Sequence, residues 1–235
     1  MIGGDDLATI RELTAALSEA LGVRPRALEW TMDELYKAEI IGGPDEPAYC
    51  IDAANILIAF AGSIDLSHPV KVLGRFETLP FIESAQSGFT DQGTVELWAT
   101  PADFPLIELA AECGGFGDFL AGIMDAYCGA EWTPLLLGRV ILAHESGQRF
   151  AILEFVTDPE NRANFGTRDC AIKFGTGEDT PPDDAAPCRL QQRTIIPGEI
   201  IEVIRRVIGE TGTPLRFGTE AEMAEYLADY CEENG

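Results

Sequence analysis

The sequence predicts an α+β protein: a helical helix-turn-helix region at the N-terminus, then a smaller α+β part built on an antiparallel sheet. Three observations carry this. Leu7, Ile10, Leu13, Leu17 and Leu21 recur at spacings of three and four, the stripe of an amphipathic helix. Leu28, Thr31 or Met32, Leu35 and Ala38 then begin a second such stripe. Far downstream, the β-branched and aromatic runs Arg139–His144 and Gln148–Val156 flank Ser146-Gly147, the pattern of a β-hairpin. At 235 residues and 46% hydrophobic, the chain can bury a core as one large or two ordinary domains. The expected division is a helix-turn-helix domain over 1–80, an α+β oligomerisation or sensing domain over 81–209, and an acidic C-terminal helix over 210–235.

The first helix is expected over Leu7–Leu21. Asp5 or Asp6 would cap it, because a carboxylate there accepts from the unpaired amides of the first turn. Gly22 stands where a helix end favours a left-handed residue. The next helix opens at Arg24-Pro25-Arg26, with proline at a position that needs no amide, and runs to Ile40. Ile41-Gly42-Gly43-Pro44 stops it. Pro47–Ile51 reads as a short returning strand, and so as a wing. Asp52 would cap a third helix, Ala53–Ala61, whose unbroken apolar character predicts burial on most sides. Ser67 would cap a fourth helix over Pro69–Leu79.

Two helices joined by a turn of three or four residues form a helix-turn-helix arrangement. The stretch LTAALSEALGVRPRALEWTMDELYKAEIIGG, followed by IDAANILIAFAGS, resembles the first domain of winged helix-turn-helix regulators. The order of elements is similar to that of uncharacterised proteins encoded by prophages of alphaproteobacteria, over roughly the first third of the chain. The strand and IPGE helix near residue 199 add a weaker likeness to the same proteins. In the winged family the second helix reads the major groove. The resemblance therefore implies Arg24, Arg26, Trp30 and Lys37 as DNA contacts. The chain departs from a basic recognition helix in that Glu29, Asp33 and Glu34 share the outward face, and carboxylates repel phosphates. Arg24 and Arg26 oppose the helix dipole at an N-terminus, a cost that a bound phosphate would reverse. The plain alternative is that both are solvated or pair with Glu29.

Further along, Thr94–Ala99 is a strand candidate and Phe104–Cys113 a helix. Gly114-Gly-Phe-Gly-Asp118 leads into a helix over Phe119–Tyr127. A Gly-rich turn at a helix start can cradle phosphate, but no Lys follows and a helix rather than a strand precedes it, so a helix–helix turn is expected. Arg168–Phe174 and Cys188–Ile196 read as strands, separated by a Pro/Gly/Asp-rich loop at 175–187. The helix over Glu199–Ile208 has too many apolar residues for one stripe. It is expected to bury two faces, one against the sheet and one against a second subunit. In the tail, Met223, Tyr226, Leu227 and Tyr230 oppose Glu220, Glu222, Glu225, Asp229, Glu232 and Glu233, an acidic amphipathic helix.

The formal net charge is −24, and residues 1–80 already hold 13 Asp/Glu against six Lys/Arg. Such acidity fits a solvated surface, a partner with a basic face, or carboxylates that imitate nucleic-acid phosphates. Cys50, Cys113, Cys128, Cys170, Cys188 and Cys231 form no C-x-x-C pair, and only His68 and His144 could assist, so no metal site is expected. No basic stretch with a following apolar run opens the sequence and no run approaches a bilayer span, so a soluble cytoplasmic protein is expected. His144 lies beside the hairpin turn with no matched base or nucleophile. No catalytic motif and no cofactor are expected. Two functions remain in different classes: a phage-type DNA-binding transcriptional regulator acting as a homodimer, or an acidic protein that binds a basic host protein. Phage packaging or assembly is a third.

Overall fold

The computed structural model describes residues 8–62, 68–90, 93–98, 105–132, 135–145, 148–157, 168–176, 192–208 and 215–216, with 221, 225, 228 and 229 of the tail. It is α+β. The first helix, α1, spans Ile10–Ala20. Its cap is Thr9 rather than Asp5 or Asp6, which lie outside the described residues. The Glu12 amide donates to the Thr9 hydroxyl at 3.3 Å, while the Glu12 carboxylate accepts from the Thr9 amide at 2.8 Å. This reciprocal box satisfies two donors at once. At the other end Gly22 adopts φ 63, and the Gly22 and Val23 amides donate back to Glu19 and Ser18 at 3.1 and 3.0 Å. That is the left-handed closure expected of this glycine.

Helix α2 spans Pro25–Lys37 and stops short of the expected Ile40. The same closure ends it, but with a residue that dislikes the conformation. Glu39 takes φ 59, its amide reaches Tyr36 O at 2.9 Å, and the Ile40 amide reaches Leu35 O at 3.1 Å. The reversal turns Ile40 and Ile41 onto the core.

The expected wing strand at Pro47–Ile51 does not form. Pro47 makes a single antiparallel bridge to Thr9, and Ala48 donates to Ala8 at 2.8 Å. The chain is already helical at Cys50, so α3 spans Cys50–Ala61. Asp52 is the reason. It lies inside the first turn, not before it, and accepts the Tyr49 amide at 2.9 Å. Nearly all of α3 is buried, as its composition requires. Helix α4, Pro69–Phe76, ends before the expected Leu79, and His68 rather than Ser67 precedes it; Ser67 lies outside the described residues.

Helices α5 (Pro105–Glu112) and α6 (Phe116–Gly129) follow a first hairpin, β1 (Phe81–Thr90) and β2 (Gly93–Trp98). Then come β3 (Ala130–Trp132), β4 (Leu135–Glu145), β5 (Gln148–Thr157), β6 (Arg168–Gly175), β7 (Gln192–Pro197), α7 (Ile200–Ile208) and β8 (Leu215–Arg216). The main sheet has six strands in the order β2-β1-β6-β5-β4-β7, each pair antiparallel; β3 and β8 form a small parallel pair. The hairpin read from the sequence is β4–β5. Strand β1 was not expected, since Glu83, Ser84, Gln86 and Ser87 give it no apolar alternation. It becomes a strand by pairing with β6.

Register aligns Val140, Leu153, Ile172 and Ser84 across four strands, all buried. On the same face Phe174 meets Phe116, Phe119 and Phe81 at ring-centroid distances of 5.8, 5.4 and 6.2 Å, so α6 lies against it. The opposite face carries the ion pairs Arg139–Glu154 at 2.6 Å and Lys173–Glu83 at 2.7 Å.

Helix α7 does not bury the two faces expected: the helical period places its buried isoleucines on one side, with Glu202 and Arg206 exposed on the other. Ile200, Ile201, Ile204 and Ile208 are buried, and the helix packs on α1, α6 and α3. One apolar core runs from Ile10 through α3 and α6 to Ile208, crossing residue 80. In the tail, Ala221, Glu225, Ala228 and Asp229 are helical, with Ala228 against the core and Glu225 and Asp229 exposed. Met223, Tyr226, Leu227 and Tyr230 lie outside the described residues, as does the 177–187 part of the expected loop. No helix among the described residues is long and apolar enough to cross a membrane.

Two stability predictions follow from the backbone. A left-handed conformation costs a side-chain-bearing residue about 1–2 kcal/mol, of which glycine's greater unfolded-state freedom takes back part. Glu39→Gly should therefore raise stability by about 1 kcal/mol in urea denaturation. Conversely, a Cβ on Gly115 would stand 2.4 Å from the Glu77 carbonyl oxygen. Gly115→Ala should lower stability by about 1–3 kcal/mol in the same assay.

Candidate nucleic-acid interface

Helix α2 presents its Leu28, Thr31, Met32 and Leu35 side inward, which fixes what it can present outward. Thr31 donates to Ala27 O at 3.2 Å, Thr14 of α1 to Ile10 O at 2.7 Å, and Ser18 to Val23 O at 3.0 Å. The hydroxyls between the two helices are thus satisfied locally.

The structure separates the four residues implied as DNA contacts into two groups. Arg24 occupies the N-cap with extended backbone and no side-chain cap, and Arg26 lies in the first turn; both are exposed. Among the described residues neither forms an ion pair, so the alternative pairing with Glu29 is not made. These two guanidiniums share one end of the helix. Lys37 is at the other end, about 20 Å away at 1.5 Å per residue. Its ammonium lies 2.7 Å from the Glu34 carboxylate. That hydrogen bond and the attraction of Glu34, with a smaller contribution from Asp33, raise its pKa. Trp30 is half-buried. Glu29 and Asp33 are exposed between the two ends. The helix is therefore cationic at its N-terminus and acidic or neutral beyond it.

The residues after α2 hold this end in place. Asp52 is 6% exposed and accepts from the Tyr49 and Gly42 amides. Burial pushes its carboxyl pKa up, the two amide bonds pull it back, and Glu46 adds to the rise. The sequence marks Asp52 as a cap but gives no sign that it also ties the 42–49 loop to α3.

Beside α2 lies an open groove of about 340 Å³, formed with α1 and lined by Arg11, Thr14, Ala15, Ser18, Glu19, Val23, Pro25, Glu29 and Met32. Sequence reasoning missed it, because it arises from the crossing of two helices.

The glycine turn at Gly114–Asp118 is not a phosphate cradle. The Phe116 and Gly117 amides donate to the carbonyls of Leu79 and Glu77 at 3.0 and 2.9 Å. Its glycines allow α6 to approach the end of α4. His144 pairs across β4 with Arg149 and Gln192 and is half-buried. Among the described residues no group of His, Cys, Asp or Glu is placed to hold a metal ion, and Cys50, Cys113 and Cys170 stand outside disulfides. Comparison with protein-family models, with curated proteins and with solved structures finds no match to this chain.

Glu77, at the end of α4, gives a pH prediction. Burial raises its pKa from the ordinary 4.5, and Asp118 raises it further. The folded protein then holds this proton more tightly than the unfolded chain does. The resulting stability is present below pH 4.5 and is lost as pH rises through the folded pKa. Glu77→Gln should match the wild type in thermal stability near pH 4. Its advantage should grow steadily toward pH 7, as thermal melts across that range would show.

Proposed function

We propose that the protein is a helix-turn-helix DNA-binding regulator whose α2 enters the major groove N-terminal end first, with Arg24 and Arg26 as its main phosphate or base contacts. The observation that carries this reading is the placement of two exposed guanidiniums, without ion-pair partners among the described residues, at the start of an outward-facing helix. Neither guanidinium caps the helix or pairs with an acid among the described residues, and both work against the helix dipole until an anion arrives. The left-handed closure at Gly22 makes the turn between α1 and α2 tight, as a reading head requires. In this reading Lys37 contributes little, because Glu34 already neutralises it. The sheet-bearing part of the chain would serve assembly as a homodimer, or sensing.

The overall charge of −24 makes binding depend on local contacts and on salt. The test is a titration of binding to mixed-sequence duplex DNA from low to high salt. The wild type should saturate at low salt and weaken steeply as salt rises. Arg24→Ala with Arg26→Ala should weaken binding at least tenfold and reduce the slope of log K against log salt by about 2, while Lys37→Ala leaves the slope close to the wild type's. Unchanged binding in the double variant would refute the assignment of α2. No binding by the folded protein at any salt would turn the reading to a basic protein partner.

A further inference from the structure

The groove between α1 and α2 is not explained by DNA binding. Its lining is largely apolar: buried Met32, half-buried Val23 and exposed Ala15 and Pro25 contribute, and the buried Thr14 and Ser18 hydroxyls donate to backbone carbonyls at 2.7 and 3.0 Å. Its rim is anionic. Glu19 and Glu29 are exposed and, among the described residues, form no ion pair. Arg11, the one cation lining the groove, is drawn 3.1 Å from Asp45. A largely apolar lining that includes two carboxylates suits a ligand with a greasy body and positive ends. A volume of about 340 Å³ accepts one or two large side chains, not a folded domain.

We infer that this groove is a docking site for a cationic amphipathic peptide segment of a partner protein, one apolar side chain resting on Val23 and Met32 while flanking Lys or Arg residues pair with Glu19 and Glu29. Helix-in-groove binding of this kind draws its affinity from apolar anchors and its choice of partner from the charged rim. The net charge of −24 attracts any cation, so the inference lies in the groove and not in the bulk charge. It does not depend on DNA binding.

The experiment is titration of the full chain with a labelled synthetic helix of alternating Lys and Leu faces, followed by fluorescence anisotropy at physiological salt. An oligolysine of equal charge serves as comparison. The wild type should bind the amphipathic helix saturably and at least tenfold more tightly than oligolysine. Glu19→Gln with Glu29→Gln should weaken it about tenfold. Ala15→Arg, a good helix former at an exposed position, should do the same by filling the groove. Glu112→Gln with Glu202→Gln removes the same charge from residues that do not line the groove and should leave affinity within twofold. Arg24→Ala with Arg26→Ala should not weaken peptide binding, which separates this site from the DNA reading. Circular dichroism confirms that each variant is folded. Equal affinity for both peptides, or equal loss in the two glutamine pairs, would overturn the inference and leave only general charge attraction.

Discussion

The rest of the structure depends on the burial of α3. Ten of its twelve residues are buried, so it has no solvated side and must be surrounded. The chain does this with elements drawn from both sides of it in sequence: α1 and α2 from before, α4, α6, α7 and β7 from after. Ile56, Leu57 and Ile58 are fully enclosed, and each such side chain contributes about 1.5–3 kcal/mol relative to exposure. A helix-turn-helix pair alone could not cover this surface. The C-terminal Ile200, Ile201, Ile204 and Ile208 complete the enclosure by packing α7 on α1, α3 and α6.

That constraint shapes the outward face. With their inner sides committed to the core, α1 and α2 can offer ligands only what remains: two arginines at the start of α2, a mixed run of acids beyond them, and the groove where the helices cross. The loop that follows α2 is tied to the first turn of α3 through Asp52, which accepts the Gly42 and Tyr49 amides. Loss of the wing belongs to the same constraint. Residues that would have formed a free hairpin are instead used to enter α3 early.

Charge then sets the terms of any encounter. A chain of net charge −24 repels polyanions at long range, and salt shortens that range to about 8 Å under physiological conditions. Short-range contact at Arg24 and Arg26 is compatible with this field, because neither has a neighbouring carboxylate in ion-pair distance among the described residues. The groove between Glu19 and Glu29 lies with the field rather than against it.

Features set by near neighbours in the chain could be read before any contact was known. The start of α2 at Pro25, the left-handed turn at Gly22, the burial of α3 and the β4–β5 hairpin are all local signals, each read by spacing or by the conformational limits of one residue. Tertiary structure decided the remainder. Strand β1 exists because β6 offers it a partner, and its polar sequence carries no sign of that. Glu39 accepts a left-handed turn because Ile40 and Ile41 gain burial by it. The Pro47–Ile51 strand yields to a helix because Asp52 is worth more inside the first turn than before it. That α7 is hidden was legible, but not that one side suffices or what covers it, since hydropathy records that a surface is hidden and not which surface hides it. The candidate contacts divide in the same way: the arginines at the head of α2 were legible as a pair, whereas the neutralisation of Lys37, the half-burial of Trp30 and the groove beside them come only from side chains brought together in space.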